Sequence, residues 1–282
     1  MSELSLDDGQ VIHFEDTGEG PPLLLVHGLG APSAFFARTV AELSRDHRVI
    51  TVDLRGHGAT PQGPEPLTVD RCAADLHALT EKLDVRGLTL LGWSLGATVA
   101  YHYLHRYGTA RLRGLVSVEQ SPYLLTEEGW EHAAFGALDA VGAAEADRML
   151  GAADRAVTAA LVASFFAEGS TPPQELTDEL TDVATRCRSE AKRQLWQDVL
   201  RQDWRGRLPS LGLPVLFLHG ARSRIYPSAV GHWLADAVPG SRLEVFEHSG
   251  HLPFLEEPEH FHRVIRAWVR MTRAERTEAM RR

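Results

Sequence analysis

Residues 88–107 read Leu88-Thr-Leu-Leu-Gly-Trp-Ser-Leu-Gly-Ala-Thr-Val-Ala-Tyr-His-Tyr-Leu-His-Arg-Tyr107. The apolar run at the beginning predicts a buried strand, and the pattern from Leu95 to Tyr107 predicts a helix. Gly92 and Gly96 let the chain turn sharply between them, which would expose Ser94 at the tip of the turn. A glycine-rich turn whose serine only caps the helix is the alternative. The strand-to-helix context favours Ser94 as a nucleophile.

Further strand patterns occur on both sides of this motif, over Gln10–Phe14, Leu23–Val26, Arg48–Val52, Leu115–Val118, Pro214–Leu218 and Leu243–Phe246. Apolar runs of this length are typical of a parallel sheet that is covered by helices on both faces. Helix patterns alternate with the strands, over Ser33–Leu43, Val69–Leu83, Ser228–Ala237 and Pro258–Met271. This alternation predicts the α/β class.

The alternation stops once, between Pro122 and Trp204, where helical segments rich in Ala and Glu carry scattered large apolar residues. An insertion of this length between two strands predicts a helical cap over one end of the sheet. We therefore expect a core domain made of residues 1–121 and 206–282 and a cap made of residues 122–205. Most aromatic side chains of the insertion should pack inside the cap, and one or two should face a substrate pocket.

A serine hydroxyl needs a general base in order to act as a nucleophile. His251 follows the last predicted strand in Ser249-Gly-His-Leu-Pro253, where Gly250 permits a tight loop. His251 comes late in the chain, which agrees with the order of nucleophile, acid and base along the chain in enzymes that have this kind of turn. His248 is the nearest competitor, and we interpret it as a polar loop residue.

The oxyanion that forms during acyl transfer needs two hydrogen-bond donors. The N–H of Leu95, directly after the nucleophile, is one candidate. The N–H of Leu29, in the turn His27-Gly-Leu-Gly30, is the other. We expect His27 to stabilise this turn rather than to transfer protons, and we expect Trp93 and Tyr123 to contact the substrate.

Four segments resemble, in order and spacing, the motifs of the α/β-hydrolase superfamily in its esterase and lipase-like branch: His27-Gly28, Asp53-Leu-Arg-Gly-His-Gly58, Gly92-Trp-Ser-Leu-Gly96 and Ser249-Gly-His251. The resemblance covers nearly the whole chain outside the insertion. It implies a mainly parallel eight-stranded sheet flanked by helices, with the catalytic site at the carboxyl ends of the strands. It also implies that the segment around Asp53 forms a structural turn beside the site.

One position departs from the family pattern. The resemblance places the catalytic acid a few residues beyond the strand that follows the cap, and there the chain has Ser223 instead of Asp. Some family members carry the acid after the strand that precedes the cap, and Glu119 ends that strand here. We therefore assign Glu119 as the acid that orients His251 and stabilises its charged form. The alternative is a strand-end glutamate that pairs with an arginine.

The composition of the chain and the incompleteness of a dinucleotide-binding motif argue against several other classes of function. The formal net charge of −9 argues against a nucleic-acid-binding protein. No apolar stretch is long enough to span a bilayer and the first residues do not resemble a signal peptide, so we expect a cytoplasmic protein with no membrane partner. Gly28-Leu-Gly-Ala-Pro-Ser33 lacks the third glycine of a dinucleotide fingerprint. We expect no cofactor and no metal. The sequence makes no prediction about oligomeric state.

These observations predict a serine hydrolase that uses a Ser94–His251–Glu119 triad on an ester, lactone, thioester or amide of a small organic molecule. The serine disfavours epoxide hydrolases and dehalogenases, which use an aspartate nucleophile. A carbon–carbon bond hydrolase, a perhydrolase or a lyase on the same fold stays open. A non-hydrolytic ligand-binding or cofactor-free protein also stays open, because Ser223 replaces the usual acid.

Overall fold

An eight-stranded sheet forms the centre of the protein, and the computed structural model describes residues 2–63, 66–152 and 154–279. The strands are β1 Ser2–Ser5, β2 Val11–Thr17, β3 Pro22–Val26, β4 Arg48–Val52, β5 Leu88–Trp93, β6 Leu112–Val118, β7 Val215–Gly220 and β8 Arg242–Phe246. Their order across the sheet is β1-β2-β4-β3-β5-β6-β7-β8. The strands from β3 to β8 pair in parallel, whereas β1 and β2 pair antiparallel with their neighbours.

Ten α-helices within the described ranges flank or cover the sheet. They are α1 Ala37–Leu43, α2 Val69–Lys82, α3 Leu95–Tyr107, α4 Ala140–Gly151, α5 Arg155–Phe165, α6 Gln174–Ala184, α7 Ser189–Val199, α8 Ala229–Ala237, α9 Pro253–Glu256 and α10 Pro258–Ala279. None of them combines the length and the apolar character that a membrane span requires. The predicted α/β class and the mainly parallel eight-stranded sheet are confirmed.

The central strands are buried because helices cover both faces of the sheet. All six residues of β5 are buried, as are the last four residues of β3. The register pairs Val26 with Gly92, and Gly92 with Ser117. The carboxyl ends of β3, β5 and β6 therefore lie side by side, and the loops that follow them meet at one edge of the sheet.

Helices α4 to α7 lie between β6 and β7 in the chain and contact the loops at that same edge. Within this segment, the Trp196 indole N–H donates to the Ala143 carbonyl oxygen at 3.0 Å and links α7 to α4. The Arg188 N–H donates to the Gly56 carbonyl oxygen at 2.8 Å, and the His251 N–H donates to the Phe165 carbonyl oxygen at 2.7 Å. The helical segment is thus attached directly to the loops that follow β4 and β8.

Candidate active site

Ser94 lies in the turn between β5 and α3. Its backbone has φ 54° and ψ −125°, a conformation that is costly for a residue with a side chain. Two hydrogen bonds hold it there: the Ser94 N–H donates to the Val118 carbonyl oxygen at 2.9 Å, and the Ala97 N–H donates to the Ser94 carbonyl oxygen at 2.8 Å. The strained turn directs a half-buried serine hydroxyl toward a cavity at the carboxyl edge of the sheet.

Glycine is required at both positions of the turn, because other backbone atoms lie very close to each of them. A Cβ atom at Gly92 would lie 2.3 Å from the Gly96 carbonyl oxygen, and a Cβ atom at Gly96 would lie 2.2 Å from the Val26 carbonyl oxygen. Both distances are far inside van der Waals contact, and the obstructing atoms belong to the backbone. The helix that follows Ser94 can therefore pack against β3 only without side chains at these positions.

We expect Gly96→Ala to lower the free energy of unfolding by at least about 2 kcal/mol, because the added methyl group must displace backbone. Urea denaturation followed by circular dichroism measures the effect. Gly206→Ala is the matched control, since a Cβ atom there meets no heavy atom of the described residues within 4 Å. Equal stabilities for the two variants would contradict the role of Gly96 in the turn.

His251 is fixed by its backbone and by the aromatic rings around it. Its N–H donates to Phe165, as described above, and its carbonyl oxygen accepts from the Trp93 indole N–H at 2.8 Å. The ring centroids of Trp93 and Phe165 each lie 5.3 Å from that of His251, and that of Tyr226 lies 5.7 Å away. The imidazole is buried but lines the same cavity as Ser94. His248, by contrast, is exposed.

Glu119 follows β6 and is the carboxylate that His251 contacts. Its Oε2 accepts from His251 Nδ1 at 2.9 Å and from Ser223 Oγ at 2.7 Å, while its Oε1 accepts from the Gly220 N–H at 2.8 Å. Its backbone has φ 49°, which is costly for a non-glycine residue. No arginine side chain of the described residues contacts it. Ser223, at the position where the family usually has its acid, thus donates a hydrogen bond to the carboxylate.

The electrostatic environment keeps Glu119 ionised. Complete burial by itself would raise the pKa of this carboxyl, but the neighbouring His219 and His251 imidazoles outweigh that effect and lower the pKa to about 2. His219 Nδ1 lies 3.3 Å from Glu119 Oε1 without the alignment of a hydrogen bond. An ionised Glu119 accepts a hydrogen bond from the Nδ1–H group of His251, so that the proton of the neutral ring stays on Nδ1 and Nε2 keeps its lone pair. A neutral imidazole of this tautomer is able to act as a general base.

The predicted oxyanion donors lie on either side of Ser94. Leu95 is the first residue of α3, and Leu29 follows β3 and lines the cavity. Neither backbone N–H donates a hydrogen bond to another group in the part of the chain that the structure describes. Both donors are therefore available to a ligand.

Two buried histidines hold the loop that carries Leu29. His27 Nδ1 donates to the Gly28 carbonyl oxygen at 2.8 Å, and its Nε2 accepts from the Leu54 N–H at 2.9 Å. His57 accepts from the Gly30 N–H at 3.0 Å, also through Nε2. Burial lowers the pKa of both rings, that of His57 to about 3, so both stay neutral and accept these hydrogen bonds. His27 thus stabilises the turn.

The cavity that Ser94, His251 and Leu29 line has a volume of about 300 Å³. Most of its other lining residues come from the segment between β6 and β7, including Leu124, Met149, Leu150, Leu161, Phe165 and Trp196. The helical segment therefore forms an apolar wall around the serine and the histidine.

Comparisons with known proteins show the family of the chain. The sequence profile of the family described as alpha/beta hydrolase fold matches residues 21–258. The chain belongs to this family. A pimeloyl-[acyl-carrier protein] methyl ester esterase of Chromobacterium violaceum is 32% identical to this α/β-hydrolase over 268 residues, which cover 90% of this chain and 96% of that protein.

Solved structures of the family superimpose closely on this α/β-hydrolase. An esterase from Exiguobacterium antarcticum gives a TM-score of 0.87 with 26% identity, covering 95% of this chain and 99% of that one. A bromoperoxidase from Bacillus anthracis gives 0.88 with 25% identity, covering 95% and 100%. The protein is thus an enzyme of the α/β-hydrolase type.

Two residues that we expected to contact substrate do not line the cavity of this α/β-hydrolase. Trp93 is 1% exposed, and its indole packs beneath the loop of His251, against Phe35 and Phe254. Tyr123 lies outside the cavity, with the guanidinium of Arg205 4.3 Å above its ring. Trp93 thus donates a hydrogen bond to the loop of His251, and Tyr123 contacts Arg205 instead of the cavity.

Among the residues that line the cavity, Tyr226 and Lys192 carry polar groups that were not expected from the sequence. Tyr226 follows β7, and its hydroxyl donates to Gln120 Oε1. Burial and the charge of Glu119 raise the pKa of the Tyr226 hydroxyl, so it stays neutral. Lys192 lies on α7 and is buried. The sequence does contain a signal for Lys192, because it shares one helix face with the apolar residues Leu195, Trp196 and Val199 at spacings of three, four and seven.

Proposed function

We propose that the protein hydrolyses the ester bond of a small organic substrate through a covalent acyl-enzyme on Ser94. The observation that carries the proposal is the 2.9 Å hydrogen bond between His251 Nδ1 and Glu119 Oε2, beside the strained serine at the same edge of the sheet. This contact supports Glu119 as the acid that is missing at Ser223, and it weakens the alternative of a non-hydrolytic protein, which that absence motivated.

In the first half of the reaction, Ser94 Oγ attacks the ester carbonyl carbon while His251 Nε2 takes the hydroxyl proton. The N–H groups of Leu29 and Leu95 donate to the oxyanion of the tetrahedral intermediate. The C–O bond to the alcohol then breaks, and the alcohol leaves with the proton from His251. Glu119 remains ionised throughout and stabilises the imidazolium.

In the second half, a water molecule attacks the acyl carbon and gives a proton to His251. The bond between the acyl group and Ser94 Oγ breaks, Ser94 recovers its proton from His251, and the carboxylic acid departs. We propose that residues 122–205 act as a cap that excludes bulk water from the intermediate. The apolar residues that this segment contributes to the cavity support that role.

The cavity favours a small substrate with a largely apolar acyl chain, because most of its wall is aliphatic or aromatic. The Chromobacterium relative is named a methyl ester esterase, which supports an ester with a small alcohol rather than a lactone, thioester or amide. The bromoperoxidase among the structural relatives favours perhydrolysis as a second activity. In that reaction hydrogen peroxide replaces water, attacks the acyl-enzyme and forms a peracid.

Steady-state assays of the purified protein with p-nitrophenyl acetate, p-nitrophenyl butyrate and the corresponding methyl esters test the proposal. We expect saturable release of the alcohol and the acid, and diversion of part of the acyl group to peracid when hydrogen peroxide is added. Absence of turnover on every ester would overturn the proposed function. Ester turnover without peracid would remove only the second activity.

A further inference from the structure

Lys192 is a cation in an otherwise apolar part of the cavity. It lies on α7 with 6% of its surface exposed and lines the cavity together with Ser94. Its aliphatic stem passes over the loop of Leu29, because a Cβ atom at Gly30 would lie 3.2 Å from Lys192 Cδ. The Lys192 stem therefore packs against the turn that carries Leu29.

The Lys192 ammonium makes no ion pair or hydrogen bond to any residue that the structure describes. Placing a cation without a partner at a largely buried position is unfavourable for folding compared with an apolar side chain. Burial also lowers the pKa of Lys192, as expected for an ammonium that lacks a nearby carboxylate. A residue that is unfavourable for folding and faces the catalytic cavity is a candidate for ligand binding.

Lysine is rare among the basic residues of the chain. Only Lys82 and Lys192 among the 29 Lys and Arg residues are lysines, and Lys82 is exposed on α2. The surface ion pairs of the described residues use arginine as the permanent cation. Lysine presents a compact point charge with three donors, which can bind a small anion.

Lys192 also lines a second, outer pocket that opens beside the catalytic cavity. The exposed side chains of Arg186 and Arg188 line this outer pocket, and neither forms an ion pair within the described ranges. Its acidic residue, Glu190, contacts Gln194 and Arg193 instead. The outer pocket beside Lys192 therefore carries positive charge, which attracts anions from solution.

We propose that Lys192 binds a carboxylate of the substrate, so that the preferred esters carry a free carboxylate at the end remote from the scissile bond. The inference rests on the proposed ester hydrolysis at Ser94 and names its substrate class. The ammonium gains the anionic partner that it lacks in the free protein. The apolar walls of the cavity enclose the chain between the carboxylate and the ester.

Monomethyl esters of dicarboxylic acids of increasing chain length, each compared with the dimethyl ester of the same acid, test the proposal. We expect wild-type kcat/KM to favour the monoester at the best length by about 10-fold or more, because a hydrogen bond to a charged group contributes about 1.5–3 kcal/mol. Lys192→Met should abolish this preference, so that the ratio of kcat/KM for the monoester to kcat/KM for the dimethyl ester falls to about one. Lys192→Arg should retain part of the preference, and Lys82→Met should retain all of it.

A second measurement does not depend on a folded variant. Acylation of the two lysines of the wild-type protein by an amine-reactive reagent is followed by mass spectrometry, with and without a dicarboxylate such as adipate. We expect adipate to slow modification of Lys192 and to leave Lys82 unaffected.

Equal kcat/KM for the monoester and the dimethyl ester, or no protection of Lys192, would overturn the carboxylate site. If neutral esters are hydrolysed without such a preference, only the proposal about Lys192 fails. If no ester is hydrolysed at all, the proposed function itself fails.

Discussion

Replacement of Ser94 by alanine is expected to lower kcat for an activated ester by about 10⁵-fold or more, since the residual rate comes only from binding and oxyanion stabilisation. The substitution removes the atom that forms the acyl-enzyme, and no neighbouring hydroxyl can replace it in the strained turn. Binding should change little, so KM or the affinity for a substrate analogue should stay near the wild-type value. Steady-state and single-turnover kinetics with p-nitrophenyl butyrate measure both quantities.

Ser164→Ala is the matched control for this variant. Ser164 also lines the cavity, but its hydroxyl donates to the Leu161 carbonyl oxygen at 2.6 Å and is not in a strained turn. We expect Ser164→Ala to keep kcat close to that of the wild type. Retention of turnover by Ser94→Ala, or an equal loss in both variants, would be incompatible with Ser94 as the nucleophile.

Glu119→Gln should lower kcat/KM by about 10³- to 10⁴-fold, the size of effect seen when the acid of a serine triad becomes an amide. A glutamine side chain is neutral and cannot stabilise the imidazolium. Its amide nitrogen can also face Nδ1 and impose the wrong tautomer on His251. The measurement is kcat/KM on p-nitrophenyl butyrate, with thermal unfolding to establish that the variant is folded.

Ser223→Ala is the control. Ser223 stands at the position where the family usually has its acid, whereas Glu119 is the acid that we propose. This variant loses the hydrogen bond to Glu119 Oε2 and the two longer ones that Ser223 Oγ accepts from the Ile225 and Tyr226 N–H groups, but the carboxylate keeps the Gly220 N–H and His251 as partners. We expect a loss of about 10-fold or less, near the lower end of the about 1.5–3 kcal/mol that one hydrogen bond to a charged group contributes, because two partners still hold the carboxylate. A larger loss in Ser223→Ala than in Glu119→Gln would contradict the assignment of Glu119 as the acid.

The conformation of Glu119 explains how a carboxylate at the end of β6 reaches His251. Two of the four non-glycine residues with positive φ in the described chain are Ser94 and Glu119, at the ends of the neighbouring strands β5 and β6. Such conformations cost of order 1–3 kcal/mol each and persist where the surrounding structure enforces them. The Glu119 N–H continues the ladder to the Leu218 carbonyl oxygen at 2.8 Å before the backbone turns. The carboxylate thereby reaches Gly220 and His251.

The sequence predicts those parts of the protein that depend on local pattern. The strand, turn and helix around Ser94 follow from two glycines and an apolar run, and His251 follows from a glycine-containing loop after the last strand. Strand β1 was not predicted because only Leu4 of its four residues is buried, which gives no periodic signal. The position of Glu119 beside His251 required knowledge of the strand order.

The walls of the cavity were harder to predict, because they depend on how the segment between β6 and β7 folds back over the sheet. Trp93 is adjacent to Ser94 in sequence, yet its side chain enters the core. Lys192 is distant in sequence, yet its helix passes over the loop of Leu29. Pattern alone identifies the apolar face of α7, whereas only the packing of α7 against this loop brings a buried cation into the cavity.

The rate at which a fluorophosphonate probe labels the protein tests the proposed triad most directly, since the probe reports an activated serine independently of substrate specificity. We predict modification of a single residue, Ser94, in the wild type and no modification of Ser94→Ala. Labelling should slow by orders of magnitude in Glu119→Gln and remain near the wild-type rate in Ser223→Ala. Labelling of Glu119→Gln at the wild-type rate, or an unlabelled wild type, would contradict a serine hydrolase that takes its acid from Glu119.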